Sequence, residues 1–172
     1  GETTMRTTRQ MNQLLKQRII TDDILGACAY SCSKRAKNYR DELREYPRFS
    51  RYRKNCHEKI DLYYRMKDEL LSIVKPVAVH WQNQLDYDES LITKYFFYYS
   101  VGSYSFHKPI EAKDVDPSLL KYKLENFYTT GEDYRNLVSV QFCEKVLELI
   151  RSKDYTYLST TATIEGGKDL NE

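Results

Sequence analysis

Glycine is scarce in this chain. Its six copies in 172 residues are never spaced as a phosphate-cradling loop or a dinucleotide fingerprint requires. Cysteine is limited to Cys28, Cys32, Cys56 and Cys143, with no C-x-x-C pair among them. The first residues, GETTMRTTRQMNQ, lack the apolar stretch of a secretion signal. Four cysteines in such a chain do not suggest a disulfide framework, and a reducing, cytoplasmic compartment is expected. Gly1 to Thr4, ahead of Met5, are set aside as an appended sequence. No apolar run approaches the roughly 20 residues that span a bilayer, so no membrane partner is expected.

Histidine occurs three times, as His57, His80 and His107, and none belongs to a signature with a Ser or Cys nucleophile. Gly102-Ser103-Tyr104-Ser105 lacks the second glycine of a nucleophile elbow and suits a hairpin turn better. His107 follows an aromatic strand and reads as structural. Cys28 and Cys32 lie one helical turn apart, and Cys56-His57 falls on the next helix, so the three thiols could gather at zinc. All three sit on apolar stripes, however, where cysteine packs as a small hydrophobe, and packing is the better reading. Asp86, Asp88 and Glu89 form an acidic cluster in a polar segment. With His107 they are the residues a metal-dependent nuclease would use, yet nothing fixes the further acid and lysine such a site needs. The chain therefore reads as non-catalytic, with no catalytic, cofactor-binding or metal-ligating residue assigned.

What the sequence does contain is charge and tyrosine. Charged residues make up 30% of the chain and hydrophobic ones 41%, enough for a packed core. The net charge of +2 conceals an asymmetry: residues 1–60 carry 14 Lys/Arg against 7 Asp/Glu, and residues 61–172 carry 13 against 18. The densest basic stretch runs from Lys34 to Lys54 and holds Lys34, Arg35, Lys37, Arg40, Arg44, Arg48, Arg51, Arg53 and Lys54. Arginine suits bidentate phosphate contacts and protein interfaces alike. Tyr39, Tyr46 and Tyr52 interleave with these cations and could stack on bases. Lys34, Lys37, Arg40, Arg44, Arg48, Arg51, Arg53 and Lys54, with Tyr46 and Tyr52, are the candidate nucleic-acid or partner-binding residues. The competing reading pairs Asp41, Glu42 and Glu45 locally with the arginines, each pair contributing only about 0.3–0.5 kcal/mol. The sixteen tyrosines favour a binding surface over an active site.

Periodicity organises the rest. Thr7 and Gln10 have capping-box spacing and open a short helix through Met11, Leu14 and Leu15. Thr21 can cap a second helix, with Asp22 and Asp23 near its N-terminal dipole and Ile20 and Leu25 as a hydrophobic staple. Leu25, Cys28, Cys32, Ala36, Tyr39, Leu43 and Tyr46 then form a long apolar stripe that Pro47 ends. A further helix over about Ser50–Ile73 makes an antiparallel hairpin, whose outer face could also support a homodimer. At Pro76 the period becomes alternating. Val77, Val79 and Trp81 share one face of a strand, residues 82–90 read as loop, and Tyr95–Val101, Gly102-Ser103 and Tyr104–Phe106 make an aromatic hairpin covered on both faces. Asp116-Pro117 opens a short helix, 122–131 reads as either helix or strand, and a last helix spans about Tyr134–Ser152 before an edge strand at Tyr155–Leu158. The expected fold is α+β, an N-terminal antiparallel helical hairpin packed with a small antiparallel sheet and a C-terminal helix. Its regions are 5–75 (basic helical hairpin), 76–158 (Tyr-rich sheet plus helix) and 159–172 (flexible tail).

Two stretches, Ile19-Ile-Thr-Asp-Asp-Ile-Leu25 continuing to Tyr30-Ser-Cys-Ser-Lys-Arg-Ala-Lys-Asn-Tyr-Arg-Asp41, and Tyr98-Tyr-Ser-Val-Gly-Ser-Tyr-Ser-Phe-His-Lys-Pro-Ile110, resemble small accessory proteins of bacterial phages and integrative elements. They cover under a quarter of the chain. The resemblance implies a mobile-element origin, and within that group an anti-CRISPR-type inhibitor that binds a host RNA-guided DNA nuclease or its nucleic-acid complex. A direct DNA- or RNA-binding accessory protein is the alternative, and a small metal-dependent nuclease the second.

Overall fold

A computed structural model of the chain describes residues 7–46, 48, 50–83, 92–123 and 137–159. The fold is α+β, and it divides into two compact units: residues 1–73 with 132–172, and residues 74–131.

The first unit is helical. Helix α1, Thr8–Lys16, opens with a complete capping box, Thr7 accepting from the Gln10 N–H and the Gln10 side chain returning to Thr7 N. A three-residue strand, β1 (Ile19–Thr21), leads into α2, Asp22–Leu43, capped by the Thr21 hydroxyl with Asp22 and Asp23 in the first turn. Helix α3, Arg51–Leu71, starts at a Ser50 cap and runs back along α2. Pro47, expected to end α2, lies outside the described residues; the helix itself stops at Leu43, earlier than the apolar stripe suggests. Tyr46, the last member of that stripe, is 42% exposed.

The chain returns to this unit with α4, Val140–Ser152, capped by Ser139, and β6, Thr156–Leu158. The expected start at Tyr134 falls outside the described residues, and Leu137 to Ser139 are non-helical. β6 pairs in parallel with β1, Ile20 opposite Tyr157. The core is built from Ile20, Ile24, Leu25, Cys28, Cys32 and Ala36, from Cys56, Leu70 and Leu71 of α3, and from Cys143, Val146 and Leu147 of α4. Helix α2 is buried nearly all round over its first half, because α1, α3 and α4 all pack in this unit.

The second unit is a four-stranded sheet of order β4-β3-β2-β5, with β2 at Ala78–Asn83, β3 at Ile92–Val101, β4 at Tyr104–Ile110 and β5 at Leu120–Lys123. β2, β3 and β4 are antiparallel, and β5 adds to β2 in parallel. Gln82 and Asn83, expected in a loop, extend β2; most of the expected 82–90 loop, including Asp86, Asp88 and Glu89, lies outside the described residues. β3 and β4 meet at a two-residue turn in which Gly102 takes φ 58°, as the first position of a type II′ turn requires. Asp116 caps a single 3-10 turn at Pro117–Leu119. Of the ambiguous 122–131 stretch, Tyr122 and Lys123 are strand and the remainder lies outside the described residues, as does the expected tail from residue 160. Buried residues occur on both faces of the sheet: Ala78 and Phe96 on one, Val79, Tyr99, Val101 and Phe106 on the other.

Candidate functional site

The basic stretch folds onto the end of the helical hairpin where α2 gives way to α3. Arg44 is the C-cap of α2, Arg51 is the first residue of α3, and Arg48 lies in the connection. Arg53 holds this end together: its Nη1 donates to the Leu43 carbonyl at 2.5 Å and to the Tyr46 carbonyl at 3.4 Å. It thereby satisfies an acceptor that the last helical turn leaves open. The Tyr46 and Tyr52 rings pack beside it, centroids 4.4 Å apart and planes inclined by 49°. The Tyr52 hydroxyl donates to the Glu42 carboxylate, and that bond holds the Tyr52 phenol well above its usual pKa. Further down the hairpin Arg40 Nη1 donates to Tyr64 Oη at 3.1 Å, and Tyr39 stacks on Tyr63.

The candidate residues therefore separate. Arg40, Arg44, Arg48, Arg51 and Lys54 are exposed, Lys37 is half-buried, and Arg53 is consumed by the Leu43 and Tyr46 carbonyls. Lys34 goes elsewhere: it is 2% exposed, with Nζ 5.5 Å from the centre of the Tyr30 ring, so it faces the interior and not the surface. Lys67 is held alike over Tyr64 at 5.4 Å. Arg44, Arg51 and Lys54 form no ion pair among the described residues, and Asp41 and Glu45 likewise form none there. Glu42, the acid best placed to neutralise the tip, accepts instead from Tyr52 and lies 3.9 Å from the Cys56 thiol.

The cysteines are free and buried. Cys56 faces Glu42, and burial pushes its thiol up. Cys28 and Cys32 meet Cys143, whose Sγ lies 3.8 Å from the Cys28 carbonyl; burial likewise raises Cys28. The Cys28, Cys32, Cys56, His57 grouping considered for zinc is thus divided between two places, and no set of three or more His, Cys, Asp or Glu side chains gathers as a metal site among the described residues.

One constellation escapes a linear reading of the sequence. His80 and His107 meet on one face of the sheet, His80 Nδ1 at 2.9 Å from His107 Nε2. Tyr98 stacks on His80 at 4.8 Å, and Tyr98 Oη is 3.0 Å from Ser105 Oγ. Burial lowers the His80 pKa. The Gly102 turn alone sets Tyr98 opposite His107, so half of this meeting was available from sequence; the other half depends on the β2–β3 register.

No helix of the described residues is long and apolar enough to cross a membrane. No known protein family matches the chain, and neither a curated protein nor a solved structure is similar to it.

Proposed function

We propose that this chain is a non-catalytic binding protein whose α2–α3 tip contacts the phosphates of a nucleic acid, free or within a host nucleoprotein complex. The observation that carries this reading is the state of the tip's cations. Arg44, Arg51 and Lys54 are exposed and without an ion pair among the described residues, while the nearby Glu42 is occupied by the Tyr52 phenol. Like charges gathered at one end of a folded hairpin repel one another, and a polyanion relieves that repulsion. Tyr46 and Tyr52, 42% and 36% exposed, add aromatic faces on which bases can stack.

The resemblance of residues 19–41 and 98–110 to mobile-element proteins extends this reading. It makes the target an RNA-guided DNA nuclease complex and the role an anti-CRISPR-like inhibition in the cytoplasm of a bacterial host. Direct DNA or RNA binding without such a complex is the alternative, and nuclease treatment of a host lysate before pulldown separates the two. A homodimer, with Leu62 of α3 in its contact, would present two tips to one polyanion.

Gel shifts with duplex and single-stranded DNA at about 50 and 200 mM salt test the tip. Each phosphate contact contributes about −0.9 to the slope of log affinity against log salt. The triple variant Arg44→Glu/Arg51→Glu/Lys54→Glu should lose at least about tenfold in affinity and flatten that slope by about 3. Equal binding by the triple variant and the parent would sink the assignment of the tip.

A further inference from the structure

His80 stands on β2 and His107 on β4, and both side chains reach over β3, the strand between them. His80 is in register with Phe96, and His107 with Tyr98. Their ring centroids are 5.0 Å apart with planes inclined by 46°. The Tyr98 ring stacks on His80 and lies 5.2 Å from His107, while Phe96 meets His107 edge-on at 6.5 Å. These aromatic contacts bring the two imidazoles side by side, with 2.9 Å between His80 Nδ1 and His107 Nε2.

A hydrogen bond is one use of this spacing, and a metal ion is another. Imidazole nitrogens bind a first-row dication at about 2.0–2.1 Å, so two at right angles lie about 2.9 Å apart and two at the tetrahedral angle about 3.3 Å. The observed separation matches the right-angled edge, the geometry of square-planar and octahedral ions such as Cu(II) and Ni(II). The geometry points to a transition-metal site in which His80 Nδ1 and His107 Nε2 chelate a dication of that class in place of the hydrogen bond between them.

Both nitrogens must then present lone pairs, which puts the ring protons at His80 Nε2 and His107 Nδ1 and turns both rings toward the ion. Among the described residues no third His, Cys, Asp or Glu gathers with the pair, and water or a further ligand completes the coordination. Bound there, the ion ties β2 to β4, two strands that share no hydrogen bonds with each other.

Ni(II) is the cleaner probe, because the four free thiols would reduce Cu(II). The full chain is titrated with Ni(II) at about pH 7.5 while its three histidine imidazoles are followed by nitrogen-edited NMR. At one equivalent the paramagnetic ion should extinguish the His80 and His107 signals and spare that of His57, and the thermal midpoint should rise with Ni(II) concentration. His80→Gln and His107→Gln should each weaken Ni(II) at least about tenfold, and His57→Gln should leave it unchanged. Loss of the His57 signal first, or equal Ni(II) affinity in the His80→Gln/His107→Gln chain, overturns the site. The wild-type spectrum decides the question even if a variant fails to fold.

Discussion

The sheet unit is one continuous stretch of chain, residues 74–131, whereas the helical unit is assembled from two segments on either side of it. In the sheet, β2, β3 and β4 are neighbours in sequence and in space, and β3 and β4 need only a two-residue turn. In the helical unit the defining contacts join residues more than a hundred positions apart. Arg18 Nε donates to the Asp154 carbonyl, Val138 N to Ser31 Oγ, and the Tyr157 hydroxyl to Asp22. Such joints carry the entropy of closing a long loop before they stabilise anything, so they form late. Polar burial also differs. Thr21, Asp22, Ser31, Lys34 and Lys67 are buried in the helical unit, while the buried residues described in the sheet are apolar. A unit closed by its own ends needs polar fasteners, and those fasteners make it sensitive to ionisation.

The largest expected effect breaks the closure from within. Leu70, fully buried on α3, lies in the core of the helical unit. Leu70→Ala should destabilise the helices by about 2–5 kcal/mol, read by circular dichroism in urea. A loss under about 1 kcal/mol would show that α3 is not clamped there.

Next in size is the joint at Tyr157. Tyr157→Phe leaves the Asp22 carboxylate without its phenol partner and should cost about 1–3 kcal/mol at neutral pH. Burial and the hydrogen bond to Asp22 raise the Tyr157 pKa above the ordinary 10.0. Above about pH 10 the unfolded chain releases this proton while the folded one keeps it, so stability should fall as pH rises. In Tyr157→Phe that part of the alkaline decline should vanish.

The sheet should fail at the opposite end of the scale, and by less. Burial holds His80 below the ordinary 6.5. As pH drops through that value the unfolded chain takes up a proton before the folded one does, and stability declines. Trp81, the single tryptophan, is the neighbour of His80 on β2 and reports the transition by fluorescence. His80→Gln should flatten the acid side of the curve; an unchanged acid slope would remove His80 as its cause.

Local signals in the sequence were enough for the elements. The Thr7–Gln10 box, the Thr21 cap and the Gly102 turn each act within a few residues, and the α+β fold follows from them. Long-range partners were not legible. Nothing in Ile19–Thr21 announces a parallel pairing with Thr156–Leu158, and the periodicity of α4 does not name the helices it meets. The candidate tip was visible as composition, but not the fate of each cation. Lys34 is internal because α2, as far as Ala36, is buried on more sides than one apolar stripe implies. Arg53 is spent on a backbone carbonyl left without an intrahelical donor because α2 stops at Leu43. The His80–His107 meeting depends on a register set across residues 84–91, whose length alone does not fix it.

The smallest expected effect tests whether the helical unit is fastened at its surface as well as its core. Arg151 on α4 grips Glu69 on α3 through two bonds, Nε to Oε1 at 2.8 Å and Nη2 to Oε2 at 2.7 Å. Fork geometry is the favourable form of such a pair, and the hydrogen bonds from Arg151 hold the Glu69 carboxyl below the usual carboxylate range. Yet the Arg151 side chain is 60% exposed and that of Glu69 33%, so water screens much of the attraction. Arg151→Ala should therefore lower the thermal midpoint only slightly at low salt, and not at all near 1 M, where the Debye length is about 3 Å. Because the carboxylate is stabilised in the folded state, the contribution of the pair should be complete above the ordinary value of 4.5 and decline as pH falls below it. A loss in Arg151→Ala comparable to that in Tyr157→Phe, and one that persists in high salt, would move the fastening of this unit from its buried joints to its surface.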